Sequence, residues 1–277
     1  VIGSAKMKDL EEMKAHNICL NMVEQEADTD EPLTETFIRQ VHKVMLREDY
    51  KVYRQLPGGE TTSYTVHAGR YKTRPNSVIT PTGERFEYAS PEETPALMAD
   101  LVQWYNKAAS EGALTPIQLA ALFHYRYIRI HPFEDGNGRI ARLMVNFILR
   151  RHNWPMMVIR SKNKKAYLNA LGLTDATVGS IPADGAHASL KSIAPFVEYM
   201  ESALTADISS MLEFLSGDRE TMWWYEGEII RFSTTTPGRI LRVLQSDPNA
   251  SLSTISTTLG ISRSAIQKQV DNLSEQG

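Results

Sequence analysis

The stretch His131-Pro132-Phe133-Glu134-Asp135-Gly136-Asn137-Gly138-Arg139-Ile140-Ala141-Arg142 decides the reading of this 277-residue chain. It joins two helices. The upstream helix opens at Thr115-Pro116-Ile117-Gln118, where a capping hydroxyl, a proline in the first turn and a glutamine at the third position mark a start. It should end near Ile130, because Pro132 disfavours helical geometry at His131. The downstream helix carries Ile140, Leu143, Met144, Phe147 and Ile148, a stripe at helical spacing that must face a core. At its start, Gly136 and Gly138 let successive backbone N–H groups turn toward one point, where the helix dipole adds positive potential. That is an anion site built from backbone. Arg139 and Arg142 add fixed cationic donors for phosphate oxygens, three residues apart and so on one side of the helix.

A bare carboxylate at Asp135 would repel phosphate, and a magnesium ion removes the contradiction, since carboxylate plus phosphate oxygens is its usual ligand set. His131, a few residues earlier, can take a proton near neutral pH. A base, a metal-holding acid, a phosphate nest and two arginines make a kit for phosphoryl or nucleotidyl transfer. The surrounding charge agrees. Between Gly136 and Thr174 there are eight Lys or Arg and no Asp or Glu, which gives local positive potential in a chain of net charge −3.

The twelve residues resemble the defining motif of the Fic (Fic/Doc) family, His-x-Phe-x-(Asp/Glu)-Gly-Asn-Gly-Arg-x-x-Arg, at every specified position. Ala68-Gly69-Arg70-Tyr71-Lys72-Thr73, Gln103-Trp104-Tyr105-Asn106 and Ala166-Tyr167-Leu168-Asn169-Ala170-Leu171 also look like family landmarks, so the resemblance covers most of residues 1–205. It implies that His131 deprotonates a target hydroxyl, which attacks the α-phosphorus of ATP. Asp135 would hold Mg2+, the backbone of Gly136, Asn137 and Gly138 and the Asn137 side chain would cradle phosphates, and Arg139 and Arg142 would orient the leaving part. Phe133 would anchor the motif in the core. Tyr167 resembles a residue lining the nucleoside pocket, and Asp175 falls where relatives often have Asn. Ser77, Val78 and Ile79 resemble the flap that registers the target segment by strand-like pairing. The implied reaction moves AMP from ATP to a Ser, Thr or Tyr hydroxyl of a protein and releases pyrophosphate. A departure from the family is that its inhibitory pattern, (Ser/Thr)-x-x-x-Glu-(Gly/Asn), has no match; Ser209-Ser210-Met211-Leu212-Glu213 comes nearest but Phe214 follows it.

Outward from the motif, helical patterning dominates. Helices are expected over about 6–25 and 34–48, and Ser90-Pro91-Glu92-Glu93 marks another start. Between Gly58 and Ala89 the texture turns to Thr, Tyr and Val, and Thr80-Pro81-Thr82-Gly83 reads as the turn of one small hairpin, with strands at 77–79 and 85–88. Ser233-Thr234-Thr235-Thr236-Pro237-Gly238 reads as a linker, and Trp223 and Trp224 as packing residues near a helix end. Beyond it, Ile240, Leu241, Val243 and Leu244 suggest one helix, 251–259 a second ended by Gly260, and Ser262 a cap for a third carrying Ile266, Val270 and Leu273. This looks like a winged helix-turn-helix with the wing strands lying past Gly277. The expected fold is therefore mainly α: a Fic-type core over 1–205 with its flap hairpin at about 71–88, a connecting helix and linker over 206–235, and a truncated winged-helix module over 236–277.

Composition narrows the remainder. An apolar fraction of 42% and a charged fraction of 23% fit a globular chain. The one cysteine, Cys19, excludes an internal disulfide framework and reads as a small buried hydrophobe, compatible with a cytoplasmic protein. No apolar run approaches the ~20 residues that span a bilayer, the first eight residues do not read as a signal peptide, and no membrane partner is expected. Four cationic against three acidic side chains over 236–277 is feeble for DNA, so DNA binding is not favoured for that module. The expected partner is a target protein bearing a hydroxyl, with self-modification and homo-oligomerisation left open. Rival readings are a Fic-type transferase using another nucleotide or phosphate-containing donor, and a DNA-binding regulator whose Fic core senses nucleotide.

Overall fold

The computed structural model describes residues 7–55, 59–79, 85–225 and 227–275. It divides into two compact units, residues 1–202 and 203–277. The centre of the first is α4 (Pro116–Ile130), which buries nearly its whole surface from Ile117 to Ile130. Its start is the expected capping box: Thr115 accepts from the Gln118 N–H, while the Gln118 side chain accepts from the Thr115 N–H. Against it lies α5 (Asn137–Arg151), whose stripe of Ile140, Leu143, Met144, Phe147 and Ile148 is buried as its spacing requires. Each such side chain stabilises the packing by about 1.5–3 kcal/mol.

Around this pair stand α1 (Met7–Ala27), α2 (Glu35–Leu46) and α3 (Thr94–Glu111), with α6 (Lys164–Val178), α7 (Pro182–Ala186) and α8 (Ala194–Ser216) following in the chain. α1 packs on α5 and α2, and α7 on α4. The Ser90–Glu93 box forms a turn ahead of α3, with the Ser90 N–H donating to Glu93 (3.0 Å) and the Glu93 N–H to Ser90 Oγ (3.2 Å). Cys19 is fully buried, with its thiol toward the Val41 carbonyl at 3.4 Å.

The stretch read as one hairpin lies within a region of two antiparallel pairings. β1 (Tyr50–Gln55) pairs with β2 (Thr61–Val66), and β3 (Val78–Ile79) with β4 (Arg85–Phe86). The second is the expected flap; its turn at 80–83 lies outside the described residues. The first escaped notice because this hairpin stands largely in solvent, with Tyr53 67% exposed, so no apolar alternation announces it.

In the second unit the reading of 206–235 as connecting helix and linker needs correction. Helix α8 ends at Ser216, and β5 (Met222–Tyr225) then pairs with β6 (Glu228–Arg231). Trp223 and Trp224 are strand residues, opposite Ile230 and Ile229, as aromatic and β-branched side chains favour. The supposed linker is also partly helix: Thr236, Pro237 and Gly238 open α9 (Thr236–Ser246), where the missing proline N–H costs nothing. Helices α10 (Leu252–Leu259) and α11 (Arg263–Glu275) complete the three expected, closing a core of Ile240, Ile255 and Ile266. Ser251 caps α10 and Gly260 ends it.

Candidate active site

The site grows from the end of α4. Its last turn closes with the His131 N–H donating to the Tyr127 carbonyl, and His131 itself takes a left-handed conformation with φ 52°. For a side chain with a Cβ that conformation costs on the order of 1–3 kcal/mol, so the neighbours must hold it. The imidazole stacks on Tyr88, centroids 3.9 Å apart, and Nδ1 lies 3.2 Å from the Ile128 carbonyl. A carbonyl only accepts, so Nδ1 carries the proton and Nε2 keeps its lone pair. Burial pushes the ring down to about 4 and the Lys72 charge acts the same way, against the Ile128 carbonyl and Asp135. At neutral pH His131 is an uncharged base.

Phe133 is fully buried and stacks on His42, with centroids 3.7 Å apart. The fully buried Asn137 locks the loop between them. Its Oδ1 accepts from the Phe133 N–H (2.9 Å) and its Nδ2 donates to the Phe133 carbonyl (2.7 Å). Of the Asn137 side chain, expected to reach phosphate, Oδ1 and one Nδ2 hydrogen are committed to the loop, which leaves a single Nδ2 hydrogen for any other acceptor. Gly136 has φ 79°, and an added Cβ would stand 3.6 Å from the His42 ring, so a side chain is excluded by conformation more than by space. Helix geometry leaves the N–H groups of Asn137 and Gly138, in the first turn of α5, without intrahelical acceptors, while the Arg139 N–H closes on the Gly136 carbonyl (3.0 Å).

Asp135 Oδ2 accepts from the Tyr50 hydroxyl (2.7 Å) and pairs with Arg139 (3.2 Å). Burial opposes ionisation here, but Tyr50, the Gly136 N–H, Arg139 and His42 outweigh it and hold the carboxyl below its usual range. With its side chain 47% exposed, Asp135 borders a cavity of about 380 Å³ shared with Tyr50, Arg139 and the α1 residues Glu11 and Glu12. A magnesium ion fits such a donor: an ionised, half-exposed carboxylate supplies one ligand. Among the described residues no cluster of three His, Cys, Asp or Glu exists, so the other ligands would be phosphate oxygens and water.

Arg142 acts away from the loop: after burial, its charge helps lower His16 and His124, and it opposes the burial that raises Tyr167. Tyr167 is itself buried, its hydroxyl 2.9 Å from His124 Nε2. Asp175 accepts from Tyr125 (2.8 Å) and faces Arg129 (3.5 Å); burial raises its carboxyl against both. The structure thus gathers His131, Phe133, Asp135, Gly136, Asn137, Gly138 and Arg139 on one loop. It sets Arg142 with Tyr167 a turn further on and Asp175 in another cluster, whose charge reaches Tyr88 on the far side of the His131 ring. Ser77, Val78 and Ile79 lie at the flap strand.

Sequence reasoning passed over His42, Tyr88, Lys72 and Asn76. His42 could have been found: it stands on the buried face of α2 with Phe37, Ile38, Val41 and Met45, a polar residue in an apolar stripe. Its Nδ1 accepts from the Gly69 N–H (2.9 Å) and its Nε2 donates to the Asp135 carbonyl (3.0 Å), an arrangement that only the neutral ring satisfies. Burial accordingly takes it down to about 4.

The Fic/DOC family model matches residues 32–149, the whole of this site up to α5. A crystal structure of a Fic domain containing signaling protein from Bacteroides thetaiotaomicron superposes with a TM-score of 0.69 at 54% identity, over 76% of this chain and 74% of that one. The chain belongs to the Fic/DOC family. A winged helix-turn-helix DNA-binding model matches residues 234–277 of this Fic protein. Curated relatives include protein adenylyltransferase fic-1 of Caenorhabditis elegans, 34% identical over 52% of the chain, and its Caenorhabditis briggsae counterpart, 29% identical over 60%. The Fic chain spans 24% and 28% of those proteins' lengths.

Proposed function

We propose that this Fic protein is a magnesium-dependent adenylyltransferase, moving AMP from ATP to a Ser, Thr or Tyr hydroxyl of a target protein. The observation that carries the reading is the tautomer of His131, whose Nε2 lone pair is left available a few residues from the anion-binding start of α5. The adenylyltransferase names of the curated relatives support it.

In this reading Nε2 removes the proton from the target hydroxyl as its oxygen attacks the α-phosphorus, and the bond to the β-phosphate oxygen breaks to release pyrophosphate. The N–H groups of Asn137 and Gly138 and the guanidinium of Arg139 hold phosphate oxygens, while Arg142 orients the leaving part. Asp135 would hold the magnesium, which would neutralise phosphate charge when bound. Asp175 and the Tyr88 ring would border the nucleoside, and the flap at Ser77, Val78 and Ile79 would align the target strand.

The test is label transfer to protein from ATP carrying label at the α- or the γ-phosphate, with magnesium, host-cell extract and the purified chain. We expect α-label alone to transfer, and His131→Ala to abolish it, since a positioned base is worth ~10²–10⁴ in rate. Transfer of γ-label, or equal transfer by the alanine variant, would sink the proposal. The match over 234–277 favours duplex DNA as an additional ligand of that segment, although four cationic against three acidic side chains over 236–277 give it little charge for holding phosphates. Binding that weakens steeply with salt would decide for DNA.

A further inference from the structure

Between the first hairpin and the flap the chain runs along the underside of the motif loop. There Lys72 is almost completely buried, 3% exposed, on no apolar stripe and against no carboxylate at hydrogen-bond distance among the described residues. A buried ammonium is costly unless its donors are used. Its Nζ donates to the Ile130 carbonyl (2.9 Å) and to Asn76 Oδ1 (2.9 Å), and its backbone N–H donates to the Pro132 carbonyl (2.8 Å). Asn76 in turn donates through Nδ2 to the His131 carbonyl (3.1 Å) and the Phe133 carbonyl (2.8 Å). The amide can stand only one way round, because an ammonium only donates and a carbonyl only accepts.

Four consecutive carbonyls, from Ile130 to Phe133, are therefore gripped by two residues far away in sequence. They bracket the one residue of the loop whose left-handed backbone needs outside support. Asn76 also immediately precedes Ser77, where the flap begins. We propose that Lys72 and Asn76 are positioning residues: they fix the orientation of the His131 imidazole and tie it to the flap, so that a target strand paired on β3 is registered against the base. The inference rests on His131 being the base, and it deepens that reading by naming what aims it. Ground-state binding of nucleotide lies outside the device, since neither side chain hydrogen-bonds a residue of α5 directly. What it controls is alignment at the reacting atoms, where an error of about 1 Å can cost ~10²-fold in rate.

The experiment compares Lys72→Met and Asn76→Ala with wild type in three measurements. These are the Kd for magnesium–ATP, the rate of α-label transfer at saturating ATP, and the NMR resonance of the His131 ring Cε1–H. The aligned-base arrangement predicts a Kd within about twofold of wild type, transfer slowed on the order of 10–10²-fold, and a shifted or broadened His131 resonance. Asn76→Ala is the milder variant, because Asn76 is only half-buried, and it serves if Lys72→Met fails to fold. Unchanged transfer with an unmoved His131 resonance in Asn76→Ala would overturn the proposal. So would loss of nucleotide affinity in step with rate, which is what general destabilisation gives. If wild type transfers no AMP, the adenylylation reading fails by itself, and the His131 resonance still decides whether the clamp aims the ring.

Discussion

Asn137 illustrates how much one side chain can be asked to do. With the Phe133 N–H and carbonyl both satisfied by the same amide, four residues of loop close on themselves before α5 begins. Replacing it by leucine removes two buried hydrogen bonds and strands the Phe133 N–H at a cost of ~1–3 kcal/mol, while the Phe133 carbonyl keeps the Asn76 amide. We expect Asn137→Leu to lower the melting temperature of the Fic unit by several degrees and to reduce nucleotide affinity at the same time, because the anion-binding turn opens with the loop. A variant as stable as wild type in a thermal melt would show that the amide is not holding the loop. His131 depends on its neighbours in the same way, through Tyr88 on its face and the Ile128 carbonyl at Nδ1.

Among elements, α7 packs on α4 with a glycine against a buried arginine. Gly185 permits it: an added Cβ would sit 2.5 Å from Arg129 Nε and 2.6 Å from its Cγ. Arg129 cannot yield, being 1% exposed and donating to Tyr125 (2.9 Å) and the Ile181 carbonyl (3.0 Å). Gly185→Ala should therefore destabilise the first unit by about 1–3 kcal/mol, an overpacking cost, and displace the Arg129–Asp175 pair. A chemical-denaturation midpoint equal to wild type would refute this. The capping box at Thr115 and the sharp end of α4 at His131 set the opposite limits of the same helix. Its length is thus decided locally, whereas its packing is decided by glycine on a neighbour.

Across the whole molecule, neutral histidines make the fold sensitive to acid. Burial takes His42 and His131 to about 4 and His124 to about 3, against an unfolded value near 6.5. Between pH 6.5 and about 4 the unfolded chain thus binds more protons than the folded one, so stability is full above 6.5 and is lost as the pH falls through that window. The loss should amount to on the order of a few kcal/mol between pH 7 and pH 5. Thermal melts at pH 7.5, 6 and 5 should show a falling midpoint; a flat profile would mean that these rings are not held neutral.

The division of labour between local and long-range order follows from these three scales. Twelve contiguous residues are enough to nominate a base, an acid, a nest and two arginines, because covalent connection already places them on one helix–loop–helix. The helix start at Thr115 was equally legible, since caps act within four residues; the Ser90 box instead closes a turn, and α3 begins at Thr94. The exposed β1–β2 hairpin and the β5–β6 hairpin were not, having no buried alternation to betray them, and neither was the Asn137 amide, whose partner is backbone and leaves no trace in composition. Lys72, Asn76, His42 and Tyr88 reach the loop from 43 to 89 residues before His131, and of these only His42, in the apolar stripe of α2, leaves a local sign of it. Their places are set by the burial of α4 and α5, which brings remote segments against the loop, where the buried carbonyls from Ile130 to Phe133 find donors. The chemistry is therefore written in one short stretch, and the aim of that chemistry is decided by what the packed core draws up beside it.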